Sequence, residues 1–222
     1  MARASVSDNR LVGRPGRDVV SAGIRDAIQR GDMVPGQRLV ELELTETFNA
    51  TRSSVREALG ELAIEGLVEL VPGRGARVRV VSVEEAVQIT ECRVALERLC
   101  AARAAELATK AERADLRRIG KEMEKAVSGL ALDAYSALNR ELHDTIQRIS
   151  GQEVAARLLR GLNGQMVRHQ FRLSMRPGRP SVSLPQHLKM ISAIDSGDPR
   201  AAEQAIEEHL ASVIEALRST PQ

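Results

Sequence analysis

The sequence predicts a mostly α-helical protein in two parts. An N-terminal winged helix-turn-helix, three helices plus a β-hairpin wing, is expected over residues 18–80. An all-helical antiparallel bundle is expected over residues 81–222. Three observations carry this. Aromatic residues are 1% of the 222 (one Tyr, two Phe, no Trp), so the core must be built from Leu, Ile, Val, Ala and Met. The abundance of Ala, Leu, Glu and Arg favours helices over a sandwich or barrel. Strand-type runs are confined to one stretch, residues 67–80, on either side of "VPGRG".

Bulk composition narrows the function little. Hydrophobic residues are 43%, charged residues 28% and the net charge is +2, ordinary for a soluble globular chain. Local charge is more informative: residues 70–80, "LVPGRGARVRV", hold three arginines and no acid. The first residues contain no apolar run of a signal peptide, and no run of about 18 apolar residues exists, so a cytoplasmic protein without a membrane span is expected. Cys92 and Cys100 stand eight apart on one expected helix. That is about 12 Å along a helix axis, too far for a disulfide, so both are read as small buried apolar groups in a reducing compartment.

Each element has its own signal. Residues 1–17 are polar, with Gly13, Pro15 and Gly16, and read as a flexible tail. A first helix starts at Asp18 with an apolar stripe at Val20, Ile24 and Ile28, and Gly31 ends it before the turn "VPGQ". A short second helix spans 40–48, with Leu42, Leu44 and Phe48 available for burial. After the turn at residues 49–51, a third helix buries Val55, Leu59 and Leu62. Two helices joined by so short a turn have helix-turn-helix spacing, and "LVEL" and "ARVRV" then form the wing. Beyond residue 82, amphipathic segments span 83–108, 110–128, 131–149, 152–175, 184–195 and 199–218. The junction "SGDP" is explicit: Gly197 ends one helix, Asp198 caps the next and Pro199 takes its first position.

The third helix carries a nucleic-acid chemistry. Thr51, Ser53 and Ser54 at its start can bond backbone phosphates. Arg52 and Arg56, four apart, project together and can each bond guanine through two hydrogen bonds. The wing turn Gly73–Arg74–Gly75 puts Arg74 at its tip, suited to a minor groove or the adjacent backbone. The alternative is that Thr51 and the serines merely cap the helix and the arginines pair with Glu57 and Glu61.

Residues 31–78 resemble the winged helix of the GntR family of bacterial transcription regulators. The matching residues read PG-x-x-L, E-x-x-L, T-R-x-x-V-R-E-A-L, L-x-x-E-G-L-V and a P-x-R-G wing. A helical second part of this size resembles the FCD domain of the FadR subfamily. The resemblance implies a homodimer on a palindromic double-stranded DNA operator, controlled by a small-molecule effector.

The same resemblance bears on "NRELH", residues 139–143. Asn139 and His143 leave one helix face together, which fits half of a metal site or an ordinary helix with an incidental histidine. FCD domains often hold a divalent metal with an Asp or Asn, a His four later, and two more His from the last two helices. Asn139, His143, His187 and His209 match that pattern. His187 is ten residues before Gly197 and His209 twelve after it, so an antiparallel pair sets them at one level. Three imidazoles and one amide oxygen suit Zn, Ni or Mn and leave positions open for a carboxylate-bearing effector, an organic or sugar acid. Asn139 brings no charge, which favours an anionic ligand. Arg93 matches a family arginine that points into the effector cavity, or it pairs with Glu97 one turn on. His169 falls outside the pattern and reads as pocket lining or surface. Two alternatives remain: a metalloregulator sensing the ion itself, and a helical metal-dependent enzyme. Against the enzyme, no H-E-x-x-H motif is present and Glu208 is expected to face away from His209.

Overall fold

The computed structural model describes residues 14–174, 176 and 178–219. Of the tail expected over 1–17, residues 1–13 lie outside that range. The chain divides into two compact units, one ending at Val80 and one beginning at Val81.

In the first unit α1 (Arg17–Arg30) buries Val20, Ile24 and Ile28 and ends at Gly31 in the left-handed region. The tight turn after it delivers β1 (Arg38–Leu39), then α2 (Glu41–Thr47) and α3 (Arg52–Ile64). Val55, Leu59 and Leu62 point inward from α3 as expected. On α2 only Leu44 is buried; Leu42 is 51% exposed. The two residues are 200° apart at 100° per residue, so a helix of this length cannot bury both on one face. Strands β2 (Val68–Val71) and β3 (Gly75–Val78) form the expected hairpin, but the sheet has three strands in the order β1-β3-β2, all antiparallel. Two residues are too few to show alternation, so β1 leaves no periodic signal. Backbone bonds from Gly36 N to Val78 O (2.8 Å) and from Val78 N to Gln37 O (2.9 Å) extend its pairing.

The second unit is helical throughout. It contains α4 (Val83–Leu107), α5 (Lys110–Ser128), α6 (Leu132–Ser150), α7 (Glu153–Gln165), α8 (Val167–Ser174), α9 (Arg179–Ser196) and α10 (Pro199–Arg218). Starts are capped where the sequence offers a hydroxyl or carboxylate: Ser82 for α4, a Thr109/Glu112 capping box for α5, and Asp198 accepting from the Arg200 and Ala201 amides for α10. Two expectations are corrected. The single helix expected over 152–175 breaks at the fully buried Met166, which caps α7 through a bond from its amide to Asn163 O (3.0 Å). The helix expected to start at residue 184 starts at Arg179. Pro180 takes the early position suited to proline, while Pro185 lies inside the helix rather than at its start.

The core of this unit is aliphatic, built from Leu116, Ile119, Met123, Leu142, Leu159, Met190, Ile194, Ile206 and Leu210, with Tyr135 its one aromatic member among the described residues. Helix α4 packs against α6, α7, α9 and α10. A long helix with four neighbours sets polar side chains from several elements around one buried point. Of the cysteines, Cys100 is buried as expected but Cys92 is exposed; both are free thiols.

Candidate functional site

In the first unit the start of α3 is fully formed. Thr51 is its N-cap: its Oγ1 accepts from the Ser54 amide (3.1 Å) and lies 2.9 Å from Ser54 Oγ. Ser53 Oγ donates to Glu57 Oε1 (2.9 Å). Glu61 lies 3.4 Å from Arg17. The alternative pairing of the arginines with Glu57 and Glu61 is therefore not the one found. Arg52 is exposed on the first turn. Arg56 donates to Glu41 Oε2 on α2 (2.8 Å) with its own side chain 67% exposed. So exposed a pair is worth about 0.2–1 kcal/mol, little enough for a phosphate or base edge to displace it.

The wing depends on one close approach. Gly73 and Gly75 have φ of +69° and +88°, with exposed Arg74 between them. A Cβ on Gly75 would stand 2.6 Å from the backbone oxygen of Leu39. Any side chain there would meet both a strained φ and the β1 backbone. Gly75→Ala is expected to cost roughly 1–3 kcal/mol of stability and to separate β1 from β3, seen as a lowered denaturation midpoint. The sheet also reveals a basic residue the sequence reading missed. Arg38 pairs with Arg77 across β1 and β3 and donates from Nε to the Arg74 carbonyl (3.4 Å). No local signal ties Arg38 to a wing about 35 residues later.

In the second unit His143 of α6, His187 of α9 and His209 of α10 come together. One ring nitrogen from each lies within 4.8 Å of the other two. Ring centroids are 4.5 Å apart for His187–His209 and 5.6–5.7 Å for the pairs with His143. His187 and His209 are 1% and 5% exposed.

Each imidazole is held at its outer nitrogen by a different partner. His143 Nδ1 lies 3.0 Å from Glu97 Oε2, and His209 Nδ1 donates to Gln186 Oε1 (3.0 Å). His187 Nδ1 lies 2.9 Å from the Tyr135 hydroxyl, which lies 2.7 Å from Ser183 Oγ. Ser183 gives its own hydrogen to the Arg179 carbonyl (3.1 Å). With that hydrogen so placed, Ser183 accepts from Tyr135 and Tyr135 accepts from His187, the tautomer that leaves His187 Nε2 with its lone pair. Gln186 Oε1 is an acceptor, so His209 Nδ1 carries the hydrogen and its Nε2 the lone pair; with hydrogen on Nδ1 of His143 and His187 as well, all three Nε2 atoms present lone pairs.

Three buried polar atoms here have no hydrogen-bond partner: Glu97 Oε2, which lies beside His143 Nδ1 as an ion-pair contact only, His187 Nε2, and Asn139 Oδ1, one turn before His143 on α6. An unsatisfied buried acceptor costs about 1–3 kcal/mol and calls for an explanation. A cation facing the lone pairs of His187 and Asn139 would satisfy those two. Burial pushes His187 and His209 well below the usual imidazole range, which keeps them neutral. The residues present thus fit a divalent metal: three converging imidazoles, each with Nδ1 beside an oxygen of a neighbouring side chain, plus one amide oxygen.

Arg93 is 7% exposed, with Nε and Nη2 at 2.9 and 2.7 Å from Glu97 Oε1. Of the two expectations for it, the i,i+4 ion pair is the one formed, and it is buried. Burial raises the Glu97 pKa, but Arg93 and His143 outweigh it and hold the carboxyl at about 2. Tyr135, Ser183 and Gln186 went unread in the sequence, and Glu97 reads there only as a partner for Arg93, not for His143. Tyr135 could have been found, since Tyr135, Asn139 and His143 recur every four residues on one helix stripe. His169 is not at the surface: it is buried, donating from Nε2 to the Val81 carbonyl (2.8 Å). Glu208 does face away from the centre, toward Lys189 and Gln204.

A winged helix-turn-helix followed in the chain by a helical domain with a buried polar centre defines a DNA-binding regulator of transcription. Residues 17–78 match the gntR family of bacterial regulatory proteins and residues 88–212 match the FCD domain. The chain belongs to the FCD-bearing regulators of the gntR family. It is 29% identical over 190 residues to the HTH-type transcriptional repressor RspR of Escherichia coli K12, covering 86% of this chain and 83% of that one. It is 27% identical over 217 residues to the HTH-type transcriptional repressor NanR of Enterobacter sp. strain 638, covering 88% and 83%. The solved structure of E. coli McbR/YncC shares its fold, with a TM-score of 0.77, 20% identity and coverage of 91% and 96%. These relatives are transcription regulators rather than enzymes. Among the described residues no helix is long and apolar enough to cross a membrane.

Proposed function

We propose that this chain is a cytoplasmic, homodimeric regulator whose hold on a palindromic operator is controlled by a small acid bound at a metal in the helical domain. Thr51, Ser53 and Ser54 bind phosphates, Arg52 and Arg56 read bases, and Gly73, Arg74 and Gly75 form the wing contact. Asn139, His143, His187 and His209 hold a divalent ion of the Zn, Ni or Mn type. When bound, that ion supplies a cationic anchor for a carboxylate oxygen. The observation that carries this reading is the convergence of three imidazoles, one ring nitrogen of each within 4.8 Å of the other two, with His187 Nε2 and Asn139 Oδ1 buried and unpartnered. The donor set favours an anionic effector. Asn139 is uncharged and Arg93 cancels Glu97, so the ion's charge is offset only by what the ligand brings. Arg93 is then a wall of the pocket rather than its clamp.

The test is footprinting over the region upstream of the protein's own gene. Wild type is expected to protect a palindrome, and Arg52→Ala and Arg56→Ala to weaken binding by about 1–3 kcal/mol each. Variants that bind like wild type would remove α3 as the reading element. Adding zinc with an organic acid is expected to shift operator affinity where zinc alone does not. A full shift with zinc alone would make the ion itself the signal.

A further inference from the structure

We propose that Arg179 is the residue that selects the effector, by holding a second anionic group on a short acid whose first carboxylate sits at the metal. This rests on the metal reading above for the first carboxylate; the role of Arg179 is separable from it.

Two arginines bear on the histidine centre, and they differ in what is left of their charge. Arg93 is neutralised by Glu97. Arg179 is half-buried at the start of α9, and among the described residues no carboxylate pairs with it. Among the described residues its one side-chain hydrogen bond is donated from Nη1 to Ser212 Oγ (2.8 Å), an uncharged partner. Burial lowers its pKa and neighbouring Arg176 adds to that; Tyr135 and Glu215 work in the other direction, and Glu215 forms no ion pair with it. A guanidinium withdrawn from water without a counter-ion is costly to keep and is repaid by an anion.

Its position is set by helix periodicity. Arg179, Ser183 and His187 follow at i, i+4 and i+8 on α9, and His209 and Ser212 are three apart on α10. The Arg179–Ser212 contact therefore lies along the same helix faces that carry the histidines. Ser212 is displaced from the level of His209 by about one turn, some 4.5 Å at 1.5 Å per residue. The charge of Arg179 is felt at Tyr135, His187 and His209. No side chain caps the start of α9, which adds positive potential at this end. A guanidinium binds a carboxylate through two parallel hydrogen bonds. A metal point and a guanidinium about one turn apart match the two ends of a short dicarboxylic acid.

The experiment is calorimetric titration of full-length, zinc-loaded protein with succinate and with acetate, in wild type, Arg179→Met and Arg179→Lys, with zinc content measured in each. Wild type is expected to bind succinate at least about tenfold more tightly than acetate, a difference of about 1.4 kcal/mol. Arg179→Met should still hold zinc but bind succinate no better than acetate, and Arg179→Lys should recover part of the preference. The proposal is overturned if Arg179→Met keeps the full preference for succinate, or if wild type binds both acids alike or binds neither. Wild type that takes up no zinc would defeat the metal reading alone. Succinate titrated into the metal-free proteins then decides Arg179, whose loss must weaken the binding.

Discussion

Glu97→Ala is expected to destabilise the helical domain by about 3–5 kcal/mol, the cost of leaving one partner of a buried ion pair unpaired. Total stability for a domain of this size is of order 5–15 kcal/mol, so the variant should melt far below wild type. The reason lies in the two groups that share the carboxylate. Arg93 approaches Oε1 through two nitrogens and His143 approaches Oε2, with Glu97 itself 3% exposed. Removing the carboxylate strands a buried guanidinium and frees the ring of His143. Arg93→Met combined with Glu97→Leu removes both charges while keeping volume, and should regain most of the lost stability. It should not regain metal affinity, which falls about 10- to 100-fold when the group behind a ligating histidine is lost. Urea melts of the three proteins separate these effects. A Glu97→Ala variant that melts with wild type would mean that water reaches Arg93 and takes over from the carboxylate.

His187→Ala with His209→Ala is expected to abolish metal binding. Protein purified without chelator or histidine tag should carry about one divalent ion per chain, and the double variant none. Two of the four donors are gone, and of the three histidines they are the pair with the nearest rings, centroids 4.5 Å apart. Mass spectrometry of metal content reads this directly, with circular dichroism to show that the helices persist. Wild type without an ion, even after soaking in Zn, Ni and Mn, would leave these histidines as structural groups only. The winged helix would be untouched by that result.

Local signals proved a good guide wherever the cause was local. Gly31, Gly197, Asp198 and Pro199 mark helix ends because caps act within one turn, and each stands where its chemistry predicts. The apolar stripe of α3 was legible because burial follows helix period. The misses are non-local. Strand β1 exists because β3 lies beside it, and nothing in "RL" announces that. The break at Met166 follows from where its side chain is buried, not from a Gly or Pro stop. Three histidines could be paired with a family pattern, but their supports could not. Glu97 meets His143 across 46 residues and Tyr135 meets His187 across 52, and only the packing of α4, α6 and α9 creates those contacts.

The hydrogen bond from His187 to Tyr135 has an optical consequence. Tyr135 is the chain's one tyrosine and there is no tryptophan, so its phenol is the dominant ultraviolet fluorophore of the protein. That phenol is buried, its pKa pushed up to about 12 by loss of water, and it sits one hydrogen bond from the histidine centre. Emission from the unlabelled protein is therefore a single-site signal, and whatever enters the centre or disturbs His187 is reported with no other aromatic background but two phenylalanines.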